Sequence, residues 1–439
     1  MFELNPKLKE QIATVIYAIM IVSIYFSSYP SSSLSTDSSV KLEGENIGWL
    51  HAPALLSLSM IVLVLFAFLF TKPKEIFKTF WNDKALFVFS FICIYLLAGF
   101  INSDHHSYIL QRIQIKLPFL FLALCAAVIK FSRKNYHRLL FIFLLSCTLV
   151  ALYVFIHYLI YFIQINHAYL NAKVMPTPMN HIRFSILAAL AVYTSYYLVK
   201  NKAELFRYDK TVIVSLGIFL LFFVHVYSVR SGILALYGIT FTELVLLGIR
   251  KSYRQAAIIL VFIFGAGMST YFLSPTIKNK IVNTRQDIGI YQNNGVANYS
   301  SIATRFISYQ NSIILWKENI LLGCGLGDLE IKNNALFKSR NPEITTPIIP
   351  HNEFLYYLAS MGIMGVASFV FCFFFPLFYR KNFKNDFLLM AYVMVLLSCL
   401  TEPMIETQLG VACTVIFIIL PLMARKDESV QRAIHLQTK

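Results

Sequence analysis

Polar clusters with residue types suited to catalysis interrupt an otherwise apolar chain at five places. They are 179–185 (MNHIRFS), 226–232 (VYSVRSG), Arg305, 323–328 (GCGLGD) and 350–355 (PHNEFL). Arginine suits a phosphate or diphosphate, because its planar guanidinium donates paired hydrogen bonds and keeps its charge. Histidine, with a pKa near neutral, can take a proton from an attacking hydroxyl. The residue types therefore indicate diphosphate recognition combined with proton transfer.

Three arginines are the candidate diphosphate ligands: Arg183, Arg230 and Arg305. At the outer membrane boundary they would clamp a diphosphate whose lipid tail lies in the bilayer, and they would stabilise the charge that builds on it as it departs. An arginine at a span end more often contacts lipid headgroups, which is the alternative for each one taken singly. Arg230 favours the binding role, because it is the one cation of a very short outer turn, where membrane topology disfavours cations.

His351 is the candidate catalytic base. It follows a proline and precedes an apolar run, so we expect it at the mouth of a helix, where the helix dipole favours a neutral imidazole. A helix-capping or interface role is the alternative. His181 competes as the base, and Asn352 and Asp328 are supporting candidates, with Asp328 also an acidic alternative. Glu353 is a further acidic alternative, although its position favours a charge in the first turn of a helix.

The glycine run 323–328 does not predict a nucleotide site, since it lacks the GK[ST] ending of a phosphate-binding loop. We interpret it as a tight turn. The outer segments contain no HExxH, paired DxD or His/Asp cluster with metal-ligand spacing. We therefore expect chemistry without a metal and without a cofactor.

The elements that position these residues follow from composition. Of 439 residues, 57% are hydrophobic and 14% charged, and the mean hydropathy is +0.64. Such an apolar excess excludes a soluble enzyme and a disordered chain. We predict an all-α polytopic membrane protein of about 12 transmembrane helices, at 11–29, 52–71, 85–101, 116–131, 139–164, 184–199, 211–228, 231–248, 256–273, 353–379, 386–401 and 405–424.

Lysine and arginine placement orients these spans. With the N-terminus inside, each cytoplasmic segment holds two to four cations, whereas each short outer loop holds none to two. Cytoplasmic loops carry such an excess, and long loops are exempt from the rule. Both termini are thus expected in the cytoplasm and all five polar clusters outside it. Nearly two thirds of the cations (24 of 38) are then topological, so the net charge of +16 does not indicate a nucleic-acid partner.

Four parts are expected along the chain. They are nine transmembrane helices (1–273), a large periplasmic loop (274–352), three further transmembrane helices (353–424) and a cytoplasmic tail (425–439). Within the loop, 300–319 repeats apolar residues at helical spacing (Ile302, Phe306, Tyr309, Ile313 and Trp316). That stripe predicts a helix in the membrane interface anchored by its tryptophan. An ordinary helix packed over the bundle is the alternative.

Taken together, these features resemble the O-antigen ligase/polymerase superfamily of bacterial envelope glycosyltransferases. The resemblance rests on the twelve-span layout, the long outer loop after span nine, Arg230-Ser231-Gly232, the glycine turn and His-Asn-Glu-Phe-Leu at 351–355. It implies a GT-C-like architecture in the bacterial inner membrane, with the active site on the periplasmic side. It also implies diphosphate binding by Arg183, Arg230 and Arg305, and a central role for His351.

Family members take a glycan from undecaprenyl diphosphate and transfer it to an acceptor outside the cytoplasmic membrane. The leading hypothesis is an O-antigen ligase with lipid A core oligosaccharide as acceptor, working by inversion without a metal. Its partners would be the lipid-linked glycan, that acceptor and membrane lipids. A repeat-unit polymerase of the same superfamily is the first alternative. A transporter or flippase of lipid-linked sugars is the second. It predicts a polar cavity at the membrane midplane, broken helices in matched halves and a short loop after span nine, and the sequence shows none of these clearly.

Overall fold

The computed structural model describes residues 4–27, 52–170, 174–292, 301–342, 344 and 347–425. Nearly all of these residues are helical. In chain order the α-helices are α1 (Pro6–Ser23), α2 (Pro53–Phe70), α3 (Pro73–Asn82), α4 (Lys84–Ile94), α5 (His106–Val128), α6 (Arg133–Ile160), α7 (Phe162–Leu170), α8 (His181–Lys200), α9 (Asp209–Tyr227), α10 (Arg230–Ile249), α11 (Tyr253–Leu273), α12 (Pro275–Gln292), α13 (Ser301–Glu318), α14 (Leu329–Arg340), α15 (Glu353–Phe378), α16 (Asp386–Thr401) and α17 (Gln408–Met423).

The prediction of an all-α polytopic membrane protein is confirmed. Nine helices of the described part are long and apolar enough to cross a membrane, and a tenth candidate is the pair α2 and α3, bent by 110°. The remaining two predicted spans correspond to α16 and α17, of 16 residues each. Residues 426–439 of the predicted tail and residues 28–29 of the first predicted span lie outside the described residues.

The two short helices α16 and α17 matter most for the site. A full crossing takes about 20 residues, so neither helix spans a bilayer when straight. They meet at the segment 402–407 (EPMIET), here called the 402–407 turn, which contains a short 3-10 helix at Met404–Glu406. Because both helices are short, this turn is set into the bundle: Glu402 and Glu406 are only 4% and 2% exposed.

Helix α15 is broken at Gly362, which adopts φ 64° and ψ −161°. The segment 320–325 fills the break. Ile363 and Met364 donate their amides to the carbonyls of Ile320 and Leu321, and the Cys324 amide donates to Ala359 at 2.8 Å. The glycine-run segment thus ties the long loop to α15 at positions 359–364.

Gly362→Ala should lower the free energy of unfolding of the protein. A Cβ at this position would lie 2.3 Å from the Leu321 carbonyl oxygen, in a left-handed backbone region that alanine disfavours. We expect a loss of about 1–3 kcal/mol, visible as a lower melting temperature of the detergent-purified chain. Gly248→Ala, where a Cβ meets nothing within 4 Å, is the matched control. Equal melting temperatures for the two variants would show that the break tolerates a side chain.

The helix predicted at 300–319 is present as α13. It packs with its small side chains inward, since Ala303, Ser308 and Ser312 are buried, while Phe306 and Ile313 are exposed. It therefore packs on the bundle and leaves Phe306 and Ile313 of the predicted apolar stripe exposed, while Tyr309 and Trp316 are half-buried. The packing agrees with a helix lying over the bundle, and a location in the membrane interface stays a prediction.

Candidate active site

A buried carboxylate, Glu402, lies among three of the predicted site residues. Arg305 donates from Nη2 to Glu402 Oε1 at 2.5 Å. Arg183 Nη1 and His351 Nε2 each lie 3.8 Å from Glu402 Oε2. Helices α8 and α13 and the start of α15 thus bring three of the predicted residues together, although 168 positions separate the first from the last. Sequence reasoning missed Glu402 itself.

The His351 ring has a defined tautomer. Its Nδ1 lies 2.9 Å from the Ile349 carbonyl oxygen; a carbonyl only accepts, so Nδ1 carries the hydrogen and Nε2 keeps its lone pair. Burial lowers the pKa of His351 below its usual 6.5, with Glu402 opposing the shift and Arg305 and Arg183 adding to it. The imidazole is therefore neutral near pH 7 and can accept a proton at Nε2.

Two asparagines at helix starts hold these side chains in place. Asn352 caps α15 by accepting from the Leu355 amide at 3.0 Å, and its Nδ2 donates to the Leu400 carbonyl at 3.0 Å. This joins the start of α15 to the end of α16 and sets His351 beside Glu402. Asn180 caps α8 in the same way, and its Oδ1 also accepts from Arg183 Nη1 at 3.3 Å. Asparagine is a favoured cap residue because its side chain satisfies free amides at helix starts.

Arg230 belongs to a second group. It is the first residue of α10 and donates to Thr284 Oγ1 at 2.9 Å and to Asp287 Oδ2 at 2.9 Å, both on α12. Asn283 Oδ1 accepts a further bond at 3.4 Å. The structure thus places Arg230 against the long loop rather than on Glu402.

Lys280 on α12 lies near both groups and lines the groove described below. Burial, followed by the charge of Arg230, lowers the pKa of Lys280 to about 8; Asp287 opposes the shift and Arg305 contributes to it. The positive charges of Arg230 and Arg305 therefore both disfavour the charged form of the Lys280 ammonium. His181 lies close enough to Lys280, Arg183 and Arg305 to feel their charges. Nothing in the sequence distinguished Lys280 from the other lysines of the long loop.

Asp328 lies apart from these groups. Its Oδ1 is 2.6 Å from His105 Nδ1, and its carboxylate accepts from the backbone amides of Asp104 and His105. The structure thus places this supporting candidate at the start of α5, where it ties the glycine turn to the 102–105 segment.

An apolar groove leads from the second group into the membrane-facing surface. It has a volume of about 1300 Å³ and runs between α10, α11 and α12. Arg230 and Lys280 stand at its polar end, and its walls include Leu234, Tyr237, Phe241, Leu260 and Phe264. Only 11% of the apolar stretch of α11 is buried, so the groove opens sideways. This shape suits a lipid whose anionic head lies beside the two cations.

Comparison with known protein families matches residues 214–370 to the family described as O-antigen ligase. The matched segment includes Arg230, Lys280, Arg305 and His351, whereas Arg183 and Glu402 lie outside it. No curated protein matches the chain.

Proposed function

As this chain belongs to the O-antigen ligase superfamily, we propose that it transfers a glycan from undecaprenyl diphosphate to lipid A core oligosaccharide at the periplasmic face of the bacterial inner membrane. The observation that carries the proposal is the convergence of Arg183, Arg305 and His351 on Glu402, near a lateral groove that Lys280 and Arg230 line.

The charge balance suits a diphosphate diester. Arg183, Arg230, Lys280 and Arg305 supply four cations, and Glu402 and Asp287 supply two carboxylates. This described part of the site therefore has two excess positive charges, which match one negative charge on each phosphate. The polyprenyl chain would lie in the groove between α10 and α11, with its diphosphate at the groove's polar end.

The reaction is a displacement at the sugar's anomeric carbon. The acceptor hydroxyl oxygen forms the new bond to that carbon, the bond to the diphosphate oxygen breaks, and undecaprenyl diphosphate leaves with the electron pair. His351 Nε2 takes the hydroxyl proton, and Glu402 stabilises the resulting imidazolium. The arginines and Lys280 stabilise the charge on the leaving diphosphate. Attack opposite the leaving group inverts the anomeric configuration. Because the donor is already activated, the proposal requires neither nucleotide nor metal.

The test is transfer by the purified chain with one lipid-linked glycan donor and separate acceptors. A ligase caps lipid A core oligosaccharide. A repeat-unit polymerase instead joins one lipid-linked repeat to another and leaves lipid A core unmodified. Loss of both products, with transport of the donor across proteoliposomes, would overturn the proposal in favour of a flippase.

Donor affinity should weaken above about pH 8, because a lysine is charged below its pKa and Lys280 loses its proton as the pH rises through about 8. The KM for the lipid-linked donor is therefore expected to increase between pH 7 and pH 9. Lys280→Arg, which stays charged, should flatten this limb, while Lys278→Arg on the exposed side of α12 should leave it unchanged. An identical alkaline limb in Lys280→Arg would assign the titration to another group.

A further inference from the structure

The 402–407 turn carries a second buried carboxylate, Glu406, on the side away from Arg305. Lys116, fully buried in α5, pairs with Glu406 Oε1. Tyr357 donates to the same oxygen at 3.0 Å. Arg112 donates to the Glu406 main-chain oxygen at 2.9 Å, and its Nη1 lies 3.8 Å from Oε2. Lys116 and Arg112 therefore both contact Glu406, and their positive charges stabilise its ionised form.

Glu353, the first residue of α15, faces this carboxylate. It is fully buried, and its Oε2 accepts the Ile405 amide at 3.0 Å. Its carboxyl group lies close enough to that of Glu406 for the two to share a hydrogen bond once one of them is protonated. Within the described part of the chain, neither Glu353 Oε1 nor Glu406 Oε2 has a hydrogen-bond donor. Two ionised carboxylates in such contact repel each other, and the contact becomes favourable when one proton lies between them.

We propose that Glu353 carries this proton and acts as a positioning residue. Its Oε1–H donates to Glu406 Oε2 while its Oε2 accepts the Ile405 amide. These two bonds tie the start of α15, with His351 two residues earlier, to the 402–407 turn, with Glu402 at its beginning. The pair thus holds the base and its carboxylate partner in register. The effect on transfer rests on the proposed function, whereas the proton on Glu353 does not.

The proton is assigned to Glu353 because of the partners that each side chain has. Glu406 receives an ammonium and a phenol hydroxyl on one oxygen, which stabilise the charged form. Glu353 receives one backbone amide, and the cations of this cluster contact Glu406 instead. A neutral amide in place of Glu353 can make both of its bonds, with NH₂ donating to Glu406 and the carbonyl accepting from Ile405.

Conservative rescue tests the positioning role. Glu353→Gln should retain transfer within about threefold of the native rate, whereas Glu353→Ala should lose about 10- to 100-fold, mainly in kcat, because the base is displaced from its working position. Glu330→Gln, at an exposed position of α14, is the control. If Glu353→Gln loses as much as Glu353→Ala, the charge of Glu353 is needed and the proposal is wrong.

Infrared spectroscopy tests the proton directly, whether or not the chain transfers a glycan. The native-minus-Glu353→Gln difference spectrum of the full chain at neutral pH should contain the C=O stretch of a protonated carboxylic acid. The native-minus-Glu330→Gln spectrum should lack it. Absence of the band from the first spectrum would overturn the proposal while leaving the proposed glycan transfer untouched.

Discussion

His351→Ala should lower the rate of glycan transfer by about 100- to 10,000-fold, the usual contribution of a positioned acid–base group. The reason lies in the tautomer: Nδ1 is committed to the Ile349 carbonyl, so the imidazole presents its basic Nε2 beside Glu402. Alanine removes that acceptor but leaves the groove and its cations in place. The loss should therefore appear in kcat, with the KM for the lipid-linked donor nearly unchanged.

The control is His167→Ala, on an exposed position of α7, and both variants are assayed for capped lipid A core at equal expression. Native-level capping by His351→Ala would remove His351 from the mechanism. The pH profile is a second readout. The rate should fall on acidification as His351 becomes protonated, with an apparent pKa below 6.5. Glu402→Gln should move this acid limb to still lower pH, since the Glu402 charge raises the pKa of His351.

The sequence predicted the spanning helices because hydropathy accumulates along consecutive residues. The break in α15 escaped this reasoning, since Met361, Gly362 and Ile363 continue an apolar run without a charge or a proline. What closes the break is a pair of backbone bonds to Ile320 and Leu321. A local pattern does not encode partners about 40 residues away.

The site was predictable in part for the same reason. Arg183, Arg305 and His351 could be selected by residue type and by a common outer side. Glu402 could not, because its role comes from partners far from it in the chain. One signal was nevertheless available: the 402–407 turn places two acids in a very short outer segment without a cation. Buried carboxylates need cationic partners, so these two acids required charges from other helices.

Arg230→Ala should lower kcat by about 100- to 1,000-fold, the range seen when one preorganised donor to a developing anion is removed. The Arg230 guanidinium lies at the polar end of the lateral groove. Thr284 and Asp287 accept its hydrogen bonds and fix its orientation. A lysine ammonium is a compact point charge without the planar fork that donates two parallel hydrogen bonds, so Arg230→Lys should recover only a small part of the rate. Transfer from the lipid-linked donor to lipid A core is the measurement.

The exposed Arg285 lines the same groove, and Arg285→Ala is the matched control for charge near the donor. Removing Arg230 also takes away a cationic partner of Asp287, and a displaced α12 is then a second cause of lost activity. The double variant Arg230→Ala/Asp287→Asn separates the two causes, because it removes the leftover carboxylate charge. If the double variant recovers native turnover, Arg230 serves only to neutralise Asp287. If it stays as slow as Arg230→Ala at an unchanged melting temperature, the guanidinium acts on the diphosphate.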